Sequence, residues 1–267
     1  MTEFSSLLPQ ALDHADRELD AGVERLFDLM RIESISTDPA YAAECARAAQ
    51  VIVDELNAFG FDARVAPTPG HPMVLAHHDG DGPHILFYGH YDVQPVDPLP
   101  LWTRGEPFAP AIHTRADGSK FIHGRGASDD KGQLREFVEA CRIWKDTAGK
   151  LPCRVTILLE GEEESGSTNF EPFLVANAEE LKTDFAMICD TSMWDRDTPG
   201  ITLSLRGMAA GEITIHGPSR DLHSGLYGGP ALNPLRVLSE ILAALRDEQG
   251  PGCHSWLLRR RAEPLPH

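Results

Sequence analysis

Four short segments of this 267-residue chain carry side chains suited to holding a cation and moving a proton. Gly89-His90-Tyr91-Asp92 offers an imidazole ligand and, two residues on, a carboxylate that can orient the ring through its other nitrogen. Asp129-Asp130 follows the run Gly124-Arg125-Gly126-Ala127-Ser128. Glu160-Gly161-Glu162-Glu163-Glu164 places four carboxylates in five residues. They repel one another strongly, and a bound cation relieves that repulsion. Neighbouring glutamates can then divide the work, one on the metal and one taking a proton from water. Asp190 completes the set.

Singly, each segment has an ordinary explanation: a loop histidine, a helix N-cap, an exposed acidic loop, a strand-end aspartate. Together they share one address, because each lies just beyond a segment that reads as a strand, and that edge is where open α/β sheets bind ligands. The donors are imidazole nitrogen and carboxylate oxygen without thiolate. That set suits Zn²⁺, Mn²⁺ or Co²⁺ rather than an iron–sulfur or copper site. The carboxylates exceed what one closed tetrahedral site needs, and two ions roughly 3.5–4 Å apart sharing one carboxylate is the economical solution.

The elements that must position these residues are legible from periodicity. Leu19, Val23, Leu26, Phe27 and Met30 recur at helical spacing. So do Tyr41, Cys45, Ala48, Ile52, Leu56 and Phe59, with Gly60 at the natural stop. Strand patterns cover 61–65, 73–77, 84–88 and 120–122, and 154–159 and 185–189 read as buried strands. A helix after Asp130 presents Leu134, Phe137, Val138, Cys141 and Trp144 on one face. Strands alternating with helices predict an α/β fold, a sheet with parallel pairs at its centre flanked by helices. From about residue 206 the texture changes. Residues 211–216 alternate like a half-exposed strand, and Asn233-Pro234 opens a helix with Leu235, Leu238, Ile241, Leu242 and Leu245 on its apolar side. That β-then-α unit reads as the start of a second, α+β domain.

Lys and Arg number 24 against 41 Asp and Glu, a formal charge of −17. Such a field disfavours nucleic acid and anionic membranes as partners. No apolar run approaches the ~18–20 residues of a membrane helix, and Met1-Thr2-Glu3-Phe4 lacks a leader pattern, so the expected location is cytoplasmic. Five scattered cysteines without a CxxC pair predict neither a disulfide framework nor a zinc ribbon. His71, His77, His78 and His113 read as surface or packing residues, and His123 has no assigned role.

Three segments in order, 88–95 (Tyr-Gly-His-Tyr-Asp-Val-Gln-Pro), 124–132 (Gly-Arg-Gly-Ala-Ser-Asp-Asp-Lys-Gly) and 160–167 (Glu-Gly-Glu-Glu-Glu-Ser-Gly-Ser), resemble the co-catalytic di-zinc metallopeptidases. That family includes carnosinase-type and cytosolic non-specific dipeptidases, glutamate carboxypeptidases, aminoacylases and acetylornithine deacetylases, and the spelling is closest to the dipeptidase branch. The resemblance implies hydrolysis of amide bonds in dipeptides or short peptides by a metal-activated water. It implies two divalent ions, Zn²⁺ foremost, with His90, Asp129, Glu164 and Asp190 as ligands, Asp129 bridging, and a cis peptide between Asp129 and Asp130. By the same resemblance Asp92 supports the His90 imidazole and Glu163 is the general base, leaving Glu162 off the metals. Asp221-Leu222-His223-Ser224-Gly225 resembles the family's lid histidine, so His223 is expected to act in trans across a homodimer.

These readings predict a catalytic metal-binding domain over 1–205, the start of a lid and dimerisation domain over 206–249, and a tail, 250–267, without family counterpart. The tail is expected to reflect a frameshift near Gln249–Gly250, truncating the lid and removing the family's last His ligand and its substrate-carboxylate groups; neither His254 nor His267 is assigned as a ligand. Alternatives are an N-acyl-amino-acid deacylase of the same family, or a catalytically dead fragment. A glycosidase with paired carboxylates leaves His90 unexplained.

Overall fold

The periodic patterns resolve into a layered α/β unit. A computed structural model describes residues 3–208 and 210–245; the 250–267 tail, with its expected frameshift, lies outside the described residues. The chain divides after Ile201 into two units. The first contains α1 (Glu3–Met30), α2 (Ala42–Ala58), β1 (Asp62–Ala66), β2 (Met73–His78), β3 (His84–His90), β4 (Ala111–Thr114), β5 (Lys120–His123), α3 (Lys131–Ala148), β6 (Arg154–Glu160), α4 (Phe170–Ala176) and β7 (Phe185–Ile188).

The main sheet has the order β1-β2-β6-β3-β7. β3 runs parallel to both β6 and β7, whereas β1, β2 and β6 pair antiparallel. The centre is thus parallel, as expected, and one flank is antiparallel. Side chains alternate between two apolar layers, as the twofold period of a strand requires. Val74, Ala76, Phe87, Val155, Ile157 and Leu159 join the core beneath α2 and α3. Met73, Leu75 and Leu158 face a smaller cluster with Phe170, Phe173 and Leu174 of α4 and with Leu181 beyond it. β2 and β6 are covered on both faces, which is why they read as continuous apolar runs.

α3 lies against β3 through a stacked pair, Phe87 and Phe137, with centroids 3.9 Å apart. It ends at Gly149, whose φ of 73° lets its N–H return to Lys145 O. α1 packs along α3, clamped by the fork of Arg25 on Glu139 at 2.8 and 2.7 Å. It begins sixteen residues before the first apolar position that periodicity picked out, Leu19. Tertiary contact holds that extension, because Phe4 packs edge-on against Trp144.

Three expectations need correction. β7 is exposed along all four residues, because it is an edge strand bonded only to β3. β5 is not in the main sheet; it forms a separate hairpin with β4. Residues 211–216, in the second unit, form no strand among the described residues, since no neighbouring chain accepts their backbone groups. That unit does contain α5 (Ser224–Tyr227) and α6 (Pro234–Ala244), the latter capped as predicted by Asn233, whose Oδ1 accepts Leu235 N–H at 2.9 Å. No helix among the described residues is long and apolar enough to cross a membrane.

Phe87→Ala should cost about 3–5 kcal/mol in denaturant unfolding, since it removes a fully buried ring from the α3–sheet contact. Phe185→Ala, on the open edge strand, should change stability by less than about 1 kcal/mol.

Candidate metal centre

The register of β3 against β6 sets His90 opposite Glu160, so both strands end at one level. Tyr91 N–H then donates to Glu160 O at 2.9 Å, and the loops after the two strands leave the sheet side by side. β7 joins β3 through Tyr88 and Ile188 and delivers Asp190 two residues beyond its end. Three of the four chemical segments therefore leave the same carboxyl edge of one sheet. Asp129-Asp130 does not; it follows the β4–β5 hairpin and enters from the N-terminus of α3. Its approach needs Gly89, because a Cβ there would lie 2.7 Å from Asp130 Oδ2. Without that Cβ, Asp130 reaches in and accepts the His90 N–H at 3.0 Å. The Asp129–Asp130 peptide is cis, as the resemblance implied.

His90, Asp129 and Asp190 present three ligand atoms within 4.8 Å of one another. His90 Nε2 is buried and makes no hydrogen bond, yet Asp129 Oδ1 lies 2.9 Å away and Asp190 Oδ2 3.7 Å away. A buried nitrogen without a hydrogen bond, facing two carboxylates, fits a shared cation in chemistry and in aim. The opposite ring nitrogen is occupied: Nδ1 sits 3.1 Å from Asp92 O and 3.3 Å from Asp92 Oδ1.

Asp92 does more than orient the ring. Its carboxylate, fully buried, accepts the backbone N–H of Glu163 (3.3 Å) and of Glu164 (3.0 Å). The strand-end loop that carries the histidine thereby holds the start of the acidic turn. Glu162 is held elsewhere: its carboxylate accepts His71 N–H at 2.9 Å and both the backbone and side-chain N–H groups of Asn169. Glu164 Oε2 accepts from Gln94 Nε2 at 2.5 Å. Glu160 is buried beneath the turn and accepts from Tyr88 Oη and Ser167 Oγ.

The charges register this crowding. Burial opposes protonation of His90, but the hydrogen bond and charge of Asp92, with Asp130 and Asp129 behind them, lift its pKa to about 10. Burial raises Asp130 to about 7, with Asp190 and Asp129 adding to the rise against the pull of His90. Burial likewise raises Glu163, helped by Glu164, Asp190 and Asp92, and raises Glu164, helped by Asp129. Burial is the largest cause in every case; neighbouring carboxylates add to it for Asp130, Glu163 and Glu164 and outweigh it for His90.

His223 lies in the second unit, where its Nδ1 accepts Gly225 N–H at 3.0 Å and caps α5. The sequence placed Asp130 and Glu160 in the acidic segments and Tyr88 and Gln94 in the 88–95 motif, but gave none of them a role of its own.

Comparison with known proteins follows the same residues. The profile of the peptidase family M20/M25/M40 matches residues 86–254. The chain is 32% identical to the Cys-Gly metallodipeptidase dug1 of Schizosaccharomyces pombe, over 94% of this chain and 55% of that protein. Its structure is similar to that of the dipeptidase Dug1p of Saccharomyces cerevisiae, with a TM-score of 0.73 and 26% identity over 97% of this chain and 57% of that one. Human carnosine dipeptidase 1 gives a TM-score of 0.74 and 25% identity over 98% and 56%. The chain spans about half the length of the relatives it matches. With the profile covering His90, Asp129, the Glu163–Glu164 turn and Asp190 in order, the chain belongs to the peptidase family M20/M25/M40.

Proposed function

We propose that this chain carries the metal centre of a dipeptidase that hydrolyses amide bonds in dipeptides or short peptides. The observation that carries the reading is the unbonded His90 Nε2 facing Asp129 and Asp190. The printed activities of the relatives, a Cys-Gly dipeptidase and a carnosine dipeptidase, support the substrate class. His90, Asp129, Glu164 and Asp190 would hold two divalent ions, Zn²⁺ by donor preference, with Mn²⁺ or Co²⁺ satisfied by the same atoms. Bound there, the ions supply Lewis acidity, which lowers the pKa of a water toward ~7 and polarises the scissile carbonyl.

The chain's own residues supply the rest. Glu163, its proton affinity raised by burial and by neighbouring carboxylates, takes the proton of the attacking water and returns it to the leaving amine. Asp92 fixes the His90 ring and, through two backbone amides, the start of the turn that aims Glu163 and Glu164. His223 of the partner subunit donates to the developing oxyanion across a homodimer built on residues 206–249. Leu226, Leu232 and Leu235, more than 70% exposed, support a role for that segment in association. The catalytic domain then covers 1–205. Four free cysteines among the described residues fit a reducing, cytoplasmic setting.

Titrating the purified chain with Zn²⁺ in a calorimeter should show divalent-ion uptake that is lost in His90→Ala and Asp129→Asn, with fewer than two tightly held ions if the family's last His ligand is missing; a parent chain that takes up no divalent ion would sink the reading. Glu163→Gln should keep the metal content while turnover of a dipeptide panel falls by roughly 10²–10⁴-fold. Preferential cleavage of N-acetyl amino acids in the same panel would point to a deacylase instead. His223→Ala should lower kcat by roughly 10²–10³-fold at unchanged metal content; an unaltered kcat would remove it from the reaction.

A further inference from the structure

Lys131 follows the Asp129-Asp130 turn and is wholly buried, far from the usual place of a lysine. Its Nζ donates to Leu29 O at 3.1 Å and Ile32 O at 2.7 Å. Leu29 lies in the last turn of α1, which has no basic side chain of its own, and Ile32 lies two residues past the helix; their carbonyls also accept Ile32 N–H at 3.2 Å and Ser34 N–H at 2.9 Å, so Lys131 adds a second, charged donor to each. Water would satisfy them at the surface. Burying an amine donor for the purpose is costly unless its position matters.

The segment it grips leads directly to the other ligand loop. Ser34 Oγ donates to Tyr91 O at 2.7 Å, and Val93 N–H donates to Ser34 O at 2.9 Å. Ile35 and Val93 form an isolated parallel bridge. Residues 29–35 are therefore held on one side by the turn that carries Asp129 and on the other by the loop that carries His90 and Asp92. The stem of Lys131 is confined as well: a Cβ on Gly126 would lie 3.1 Å from its Cδ.

We infer that Lys131 is a positioning residue for the metal centre: by clamping the end of α1 it sets the spacing between the Asp129–Asp130 turn and the His90–Asp92 loop. This rests on the metal-site reading above. Lys131 touches neither substrate nor metal; it acts through the backbone of 29–35, and the clamp itself exists whether or not an ion is bound.

The test compares the parent chain with Lys131→Met, which keeps the stem and removes the donors. Co²⁺ titration should show affinity weaker by roughly 10–100-fold with an altered visible absorption band, since supporting residues of a metal site have effects of that order. Amide hydrogen exchange without added metal should accelerate at 91–93 as well as at 131–134. Ser34→Ala, on the far side of the clamp, should move the same readouts in the same direction. Arg142→Gln, which breaks the ion pair to Glu55, is the control: it should lower stability and leave the Co²⁺ band unchanged. Parent-like affinity, band and exchange at 91–93 in Lys131→Met would overturn the inference; if that variant does not fold, the same parent-like result in Ser34→Ala would. A parent chain that binds no Co²⁺ would defeat the metal-site reading. The exchange data would then judge the clamp alone, with acceleration confined to 131–134 overturning it.

Discussion

The centre depends on one buried carboxylate. Asp92 is removed from solvent, and its two oxygens are taken up by the His90 ring and by the backbone amides of Glu163 and Glu164. A carboxylate buried without partners is costly, so this geometry is strongly determined: moving the ring or the turn would orphan the charge. The choice of partner also matters. Backbone amides satisfy the oxygens but carry no net charge, so the aspartate is held firmly while the field around it stays negative. A lysine or arginine in their place would satisfy Asp92 and spoil the site for a cation.

Three consecutive glutamates then behave differently because the backbone points them to different places. Glu162 is held inward by the amides of His71 and Asn169 and pins the turn to the rest of the unit. Glu163 and Glu164 begin a tight turn over Asp92, and their carboxylates feel Asp190 and Asp129 respectively. The crowding that looks destabilising in the sequence is thus distributed: Glu162 is satisfied by hydrogen bonds, Glu164 accepts from Gln94, and the backbone amides of Glu163 and Glu164 are held by Asp92. Glycine makes the packing possible at two points, Gly89 beneath Asp130 and Gly161, where a Cβ would fall 2.2 Å from the Tyr91 hydroxyl.

Most of this was legible where chemistry or periodicity leaves few choices. His90, Asp129 and Asp190, which the structure brings together, could be singled out because few residue types bind cations; β2 and β6 could be picked out because strands covered on both faces are largely apolar. The errors share a cause. The apolar run 185–188 looks the same whether a layer covers it or not, so its exposure in β7 was unreadable. Residues 211–216 alternate correctly but have no partner, and pairing is a property of two segments. The first half of α1 is held by Phe4 on Trp144, a contact between residues 140 apart, and leaves no periodic trace. Lys131 is hidden for the opposite reason: a lysine in a polar motif reads as surface, and only the position of the α1 carbonyls shows otherwise.

The three segments that carry His90, Asp129 and Asp190 are not equally braced, and the distances follow the bracing. The His90 loop is held by Ser34 and by Asp92; the Asp129 turn by the His90 amide on Asp130 and by Lys131 beneath α3. Asp190 follows an edge strand bonded on one side only, and beyond it the chain is secured by Thr191 N–H on Gln133 Oε1 at 3.1 Å. Correspondingly, Asp129 approaches His90 Nε2 to 2.9 Å, whereas Asp190 stands off at 3.7 Å. On the proposed reading, adjustment to a cation would fall mainly on Asp190, the least braced of these three side chains.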